Sequence, residues 1–192
     1  MATRRMGPPD ASVRFKLLDA TERVLARDGY PAVTSRNVGQ EAGVDQKLVF
    51  YYFRTMEELV VETFRRRSEE FLGRLEALIG AKDRLRQIWT LSSDRNGRLM
   101  MEFMAMSNRN AALRGEVRQF SARASEIMEA GLARSLSAGK LDPAIFTPAF
   151  MSFLISSLAR NLILEGELGL LSAQDEVRRS IEMCLMRLEA GR

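Results

Sequence analysis

Histidine is absent from this chain of 192 residues, and cysteine and tryptophan occur once each. Without histidine, Ser-His-Asp and Cys-His catalysis are excluded and the commonest metal ligand is missing. With Cys184 alone, no intrachain disulfide can form. The apolar run around it, "IEMCLMRL", predicts a small buried hydrophobe. The chain has no P-loop, no GxGxxG and no carboxylate cluster at metal-ligand spacing. An enzyme is therefore disfavoured, and neither a metal nor a cofactor is implied. The N-terminus, "MATRRMGPPDAS", has no apolar leader, so the chain reads as cytoplasmic. The longest apolar stretch, "FTPAFMSFLISSLARNLIL" (146–164), is interrupted by Arg160 and Asn161. It predicts a buried helix rather than a span, and no membrane partner.

What remains is ordinary in bulk. A hydrophobic content of 46% suits a folded core, and a net charge of +4 is only mildly basic. The length allows a head of about 50 residues and a larger body. Residues 1 to about 11, with Arg4 and Arg5, read as a solvated tail or as an arm reaching DNA.

Helical spacing runs throughout, and strand alternation is nowhere sustained. Val13, Leu17, Leu18, Ala20, Val24 and Leu25 mark a first helix from Ala11 to Asp28, stopped by Gly29. Thr34 or Ser35 caps a short second helix that Gly43 ends. A third starts near Asp45 and reaches about Tyr52. "TMEE", Thr55 to Glu58, is a capping box opening a long helix through Leu78. Further helices are expected at 83–92, 98–108, 111–137, 147–165 and 172–189, broken by "SSDRNG" (92–97) and "SAGKLDP" (137–143). The fold class is all-α: an N-terminal three-helix head on a larger helical bundle.

The head carries the chemistry. Gly39 suits close helix approach, Gly43 suits a turn needing positive φ, and Val38, Ala42, Val44 and Val49 sit inward. That spacing is a helix-turn-helix. If Val49 points inward, Gln46, Lys47, Phe50 and Tyr51 lie on outward or flanking faces. Aromatics beside lysine suit base edges, thymine methyls and phosphates better than plain solvent. Phe53 belongs to the core, and Tyr52 can bury its ring while its hydroxyl meets phosphate. The helix starts at Thr34-Ser35-Arg36 and at Thr55 are ready anion sites. Residues 1–54 hold nine Lys and Arg against six Asp and Glu, most of the chain's cationic excess.

The stretch "DATERVLARDGYPAVTSRNVGQEAGVDQKLVFYYFRTMEEL" resembles the DNA-binding domain of TetR-family transcriptional regulators. The resemblance rests on Gly29-Tyr30, Thr34-Ser35, Ala42-Gly43-Val44, Phe50-Tyr51-Tyr52-Phe53 and Thr55-x-x-Glu58, and covers residues 11–71. It implies a helix-turn-helix over 34–53. Gln46, Lys47, Leu48, Phe50 and Tyr51 take recognition-helix positions. Thr34, Ser35, Arg36, Tyr52 and Thr55 take positions that meet the DNA backbone. Met56 stands where the family usually has Lys, and Lys47-Leu48 where it often has Gly-Thr.

The resemblance also implies that residues 72–192 bind an effector and dimerise. The last two helices, about 147–165 and 172–189, are amphipathic. One carries Phe146, Phe150, Phe153, Leu154, Leu158 and Leu162, the other Val177, Ile181, Cys184, Leu185 and Leu188. In the middle, Trp89, Leu99, Met100, Met101, Phe103, Met104, Met106 and Phe120 predict a core or a Met-lined cavity for a small apolar effector. Asn108, Arg109 and Arg123 are candidate polar handles, though no residue names the ligand. The expectation is a homodimeric, ligand-responsive repressor of an inverted-repeat (palindromic) operator in double-stranded DNA. An activator of the same fold, and a helical small-molecule-binding protein without DNA binding, stay open beside it.

Overall fold

The computed structural model describes residues 11–81, 83–136, 142–170 and 173–189. The described residues form nine α-helices and one short 3-10 turn, without strands. The N-terminal arm expected at 1–11 lies almost wholly outside them. Contacts divide the chain into two units. The head comprises residues up to Arg67 together with Glu102–Glu116. The body comprises Ser68–Met101 and Val117–Arg192.

In the head, α1 spans Ala11–Asp28 and buries Leu17, Leu18, Ala20, Thr21, Val24 and Leu25. Gly29, at φ 75°, turns the chain into the 3-10 turn Tyr30–Ala32. Helix α2, Ser35–Ala42, is capped by Thr34, whose hydroxyl accepts from the Asn37 N–H at 3.2 Å. Gly43 closes it in the left-handed conformation (φ 69°), and the Val44 N–H donates back to the Gly39 carbonyl at 2.9 Å. Helix α3, Lys47–Tyr52, follows. Its start differs slightly from expectation. Gln46 already has helical backbone angles, but Asp45 still caps, its Oδ1 accepting from the Lys47 N–H at 2.8 Å.

Helix α4, Met56–Leu78, opens on the expected capping box with one variation. Thr55 Oγ1 accepts from the Glu58 N–H at 3.0 Å, while Glu58 reaches back to the Arg54 N–H at 2.8 Å rather than to that of Thr55. Within the head, Phe64 of α4 packs edge-on to Phe103, ring centroids 5.2 Å apart.

The body is built from the rest of α4, α5 (Arg84–Ser93), α6 (Arg95–Ser107), α7 (Ala111–Leu136), α8 (Pro148–Glu167) and α9 (Gln174–Glu189), of which α6 and α7 run through both units. The break expected across 92–97 shrinks to Asp94 alone. Gly97 explains this: a Cβ there would stand 2.0 Å from the Ser92 carbonyl oxygen, so only glycine lets α6 start at once. Part of the second expected break, 137–141, lies outside the described residues. Thr147 caps α8 through the Phe150 N–H, with Pro148 at its first position. The body core gathers Leu75, Leu85, Ile88, Trp89, Leu91, Met128, Leu132, Met151, Ile155, Ala159, Leu162 and Leu185. Burying each large apolar side chain stabilises by about 1.5–3 kcal/mol.

Candidate functional site

Helix α3 has only six residues, so its orientation depends on what anchors it. Val49 and Phe53 do so, at 0% and 1% exposure. The Arg14 guanidinium lies over the Phe53 ring, 5.1 Å from its centroid, and also bonds Glu62 at 2.7 Å. Gly39 lets α3 approach α2: a Cβ there would meet Gln46 Cα at 3.0 Å. With Val49 inward, Gln46, Lys47, Phe50 and Tyr51 are exposed, Phe50 at 54% and Tyr51 at 41%. Leu48 and Tyr52 are half-buried. Tyr51 and Tyr52 meet edge-on at 5.0 Å, which fixes their rings relative to each other. Thr34, Arg36 and Thr55 are exposed and Ser35 is half-buried. Both helix-start threonines spend an acceptor lone pair on their caps and keep a hydroxyl hydrogen to donate.

The cations of residues 11–67 fall into two groups. Arg23 bonds Glu41 at 2.7 Å, and Arg27 reaches it at 3.0 Å. These bonds, Arg23 first, hold the Glu41 carboxyl below its ordinary range. Arg66 pairs with Asp19 and Glu22, and Arg67 with Glu22. Burial opposes ionisation of Glu62, but bonds from Arg14 and Arg65 outweigh it and lower its pKa. Arg65 also bonds Glu116 at 2.5 Å. Lys16, Arg36, Lys47 and Arg54, by contrast, carry no side-chain ion pair among the described residues. Three of these lie on α2, on α3 and just after α3. Arg54 is the addition that the structure makes to the sequence-derived set. Its neighbourhood to the α4 start was visible in the sequence, but its freedom from internal pairing was not.

In the body, a cleft of about 470 Å³ is lined by Arg74, Ala77, Leu78, Arg86, Gln87, Thr90 and Leu91. Its two arginines face carboxylates, Arg86 with Asp83 at 2.7 Å and Arg74 with Asp94 at 3.9 Å. Of the residues expected to line an effector cavity, Phe103, Met104 and Met106 fall in the stretch grouped with the head, as do Asn108 and Arg109. Arg123, also a candidate handle, sits 3.8 Å from Glu76 on the exposed surface.

The two last helices divide their faces cleanly. In α8, Met151, Ser152, Ile155, Ala159, Leu162 and Ile163 are buried, while Phe150, Phe153, Leu158 and Leu164 are exposed. In α9, Leu185 is buried and Val177, Ile181 and Leu188 are packed against the core, leaving Met183 and Met186 exposed. Cys184 is exposed, contrary to the expectation of burial. It sits one 100° step away from Leu185, which occupies the inward position itself.

Residues 17–63 match the family described as bacterial regulatory proteins, tetR family. The fatty acid metabolism regulator protein of Bacillus subtilis is 26% identical over 68 residues, which span 35% of this chain and 35% of that protein. The match thus covers about a third of the curated relative's length. Among solved structures, a TetR-family transcriptional regulator from Rhodococcus sp. aligns with a TM-score of 0.72 at 16% identity, covering 94% of this chain and 100% of that one. The transcriptional regulator FadR from Bacillus subtilis, in complex with stearoyl-CoA, aligns at 0.67 with 18% identity, over 93% and 98%. A transcriptional regulator from Saccharomonospora viridis, in complex with choline, aligns at 0.78 with 17% identity, over 89% and 94%. Residues 17–63 are thus similar to the tetR family of bacterial regulatory proteins, and the fold is that of solved TetR-family regulators, a helix-turn-helix head with a helical bundle.

Proposed function

We propose that the protein binds double-stranded DNA as a homodimer and represses transcription from an inverted-repeat operator, releasing it when an effector enters the body. The observation that carries this reading is the split of α3: Val49 and Phe53 are buried while Gln46, Lys47, Phe50 and Tyr51 face solvent. A short helix anchored on one side and offering Lys, Gln and aromatic rings on the other suits a major groove. Thr34, Ser35, Arg36, Tyr52, Arg54 and Thr55 flank it and meet phosphates, the cations unpaired and the helix starts offering N–H groups.

Dimerisation is supported by the exposed apolar row of α8, with Phe150, Phe153, Leu158 and Leu164, and by Met183 and Met186 of α9. Such rows are what a second copy would cover. Two heads then read two half-sites. An effector is supported by relatives solved with stearoyl-CoA and with choline. Those two ligands differ too much in charge and size to name this chain's own.

Selection of bound sequences from random DNA, followed by footprinting, tests the reading. The expected result is a two-fold-symmetric protected site bound by a dimer. The absence of any footprint, or a monomer at micromolar concentration, overturns it.

A further inference from the structure

Trp89, the single tryptophan of the chain, is wholly buried in the body core, at 0% exposure. Its indole Nε1–H has no hydrogen-bond partner among the described residues. Buried indole N–H groups are normally satisfied, because an unpaired donor loses its water bond and gains nothing. A second polar group in the same core is under-used. Elsewhere helix hydroxyls bond back to the preceding turn, as Thr21, Thr63, Thr90 and Ser156 all do. Buried Ser152 instead meets, among the described residues, the Met128 sulfur at 3.9 Å. Trp89 of α5 and Met128 of α7 belong to one apolar cluster, which Ser152 of α8 touches through the Met128 sulfur.

We propose that Trp89 Nε1–H is the polar anchor of the effector site, and that the effector is a neutral, largely aliphatic molecule with one carbonyl-type acceptor. This rests on the reading of the body as an effector domain. The acceptor follows from the donor: an N–H can be satisfied only by a lone pair. Neutrality follows from the surroundings. The buried polar residues described in the body are Ser68, Ser93 and Ser152, with no charged residue among them. Ser93 already accepts from Arg178 at 3.0 Å. An ion brought here would be desolvated in a cluster with no charged member, since the half-buried Arg178 guanidinium is already engaged with Ser93. The cleft beside Arg74 and Arg86 is the poorer candidate, because both guanidiniums already face carboxylates. The proposal requires the core to open by repacking, and Met128 and Met151, flexible members of the same cluster, are the side chains suited to it.

The full-length protein, labelled with ¹⁵N-tryptophan, yields one indole signal to follow with 2-decanone, decane and decanoate as probes. The ketone is expected to move that signal and the tryptophan emission saturably. It should bind about five- to tenfold more tightly than decane, the difference one neutral hydrogen bond makes. Decanoate should bind more weakly than the ketone. In Trp89→Phe, calorimetry should find ketone and decane within about twofold of each other. If that variant does not fold, the wild-type indole signal decides alone. An indole signal unmoved by the ketone up to its solubility limit, or equal affinities for ketone and decane in wild type, overturns the proposal. DNA binding is measured separately. A protein that takes the ketone at Trp89 but binds no DNA overturns the regulator reading and leaves this site standing, whereas one that binds DNA with an unmoved indole does the reverse.

Discussion

Glycine at 39 is required by contact and glycine at 43 by backbone angle, and the two requirements predict different substitutions. Gly39→Ala pushes a methyl to 3.0 Å from Gln46 Cα, backbone that cannot step aside. It should lose about 1–3 kcal/mol of stability in urea unfolding. Gly73, in mid-helix α4 with nothing within 4 Å, is the control: Gly73→Ala should gain about 0.5–1 kcal/mol. Among the cations, pairing decides the outcome. Lys47→Ala, Arg36→Ala and Arg54→Ala should each lower the salt slope of DNA binding by about one. Arg67→Ala should leave the slope unchanged, since its guanidinium is engaged with Glu22. A slope that falls equally for all four would remove the distinction between free and engaged cations. The sequence could count these residues but not sort them. The pairs of Arg14 with Glu62, of Arg66 and Arg67 with α1, and of Arg65 with Glu116 join positions 44 to 51 apart, and no local pattern carries such information. Cys184 failed for a related reason. An apolar neighbourhood in sequence is not a face, and the 100° step per residue turned it outward.

Elements whose ends are set by local chemistry were the most legible. The caps at Thr34 and Thr55 and the left-handed Gly43 form where the sequence places them, because each depends on residues within four positions. Thr55→Ala should cost about 1 kcal/mol and fray the start of α4. The α5–α6 junction was harder to read. A run of polar residues with a glycine resembles a loop, yet here the glycine permits a turn so tight that helix resumes after one residue. The bond between α1 and α2 through Glu41 has a pH signature. Its folded pKa lies below the unfolded value of about 4.3, so its contribution is full above that value and is lost as pH falls through the folded pKa. Glu41→Gln should be less stable than wild type at neutral pH, and the gap should narrow below about pH 4 in thermal unfolding. A gap that stays constant with pH would show that the carboxylate's charge is not the source.

For the molecule as a whole, the exposed apolar row on α8 is the feature with the largest consequence for assembly. Phe153→Glu, at a position 66% exposed, leaves the buried face of α8 intact. It should therefore yield a folded monomer by sedimentation, with operator binding weakened at least tenfold. A Phe153→Glu protein that remains dimeric would move the interface elsewhere. The all-helical class and the head were readable from spacing and motif. The assignment of residues 102–116 to the head was not, because it depends on packing across a long loop of chain rather than on anything adjacent in sequence.

That last assignment bears on modularity. A peptide cut after residue 71 would keep every residue of the helix-turn-helix, but it would strip Phe64 of the Phe103 ring and Arg65 of Glu116. A chimera made by splicing residues 1–71 onto a foreign bundle inherits the same defect. Transplanting the helix-turn-helix should succeed only when the returning segment, 102–116, travels with it.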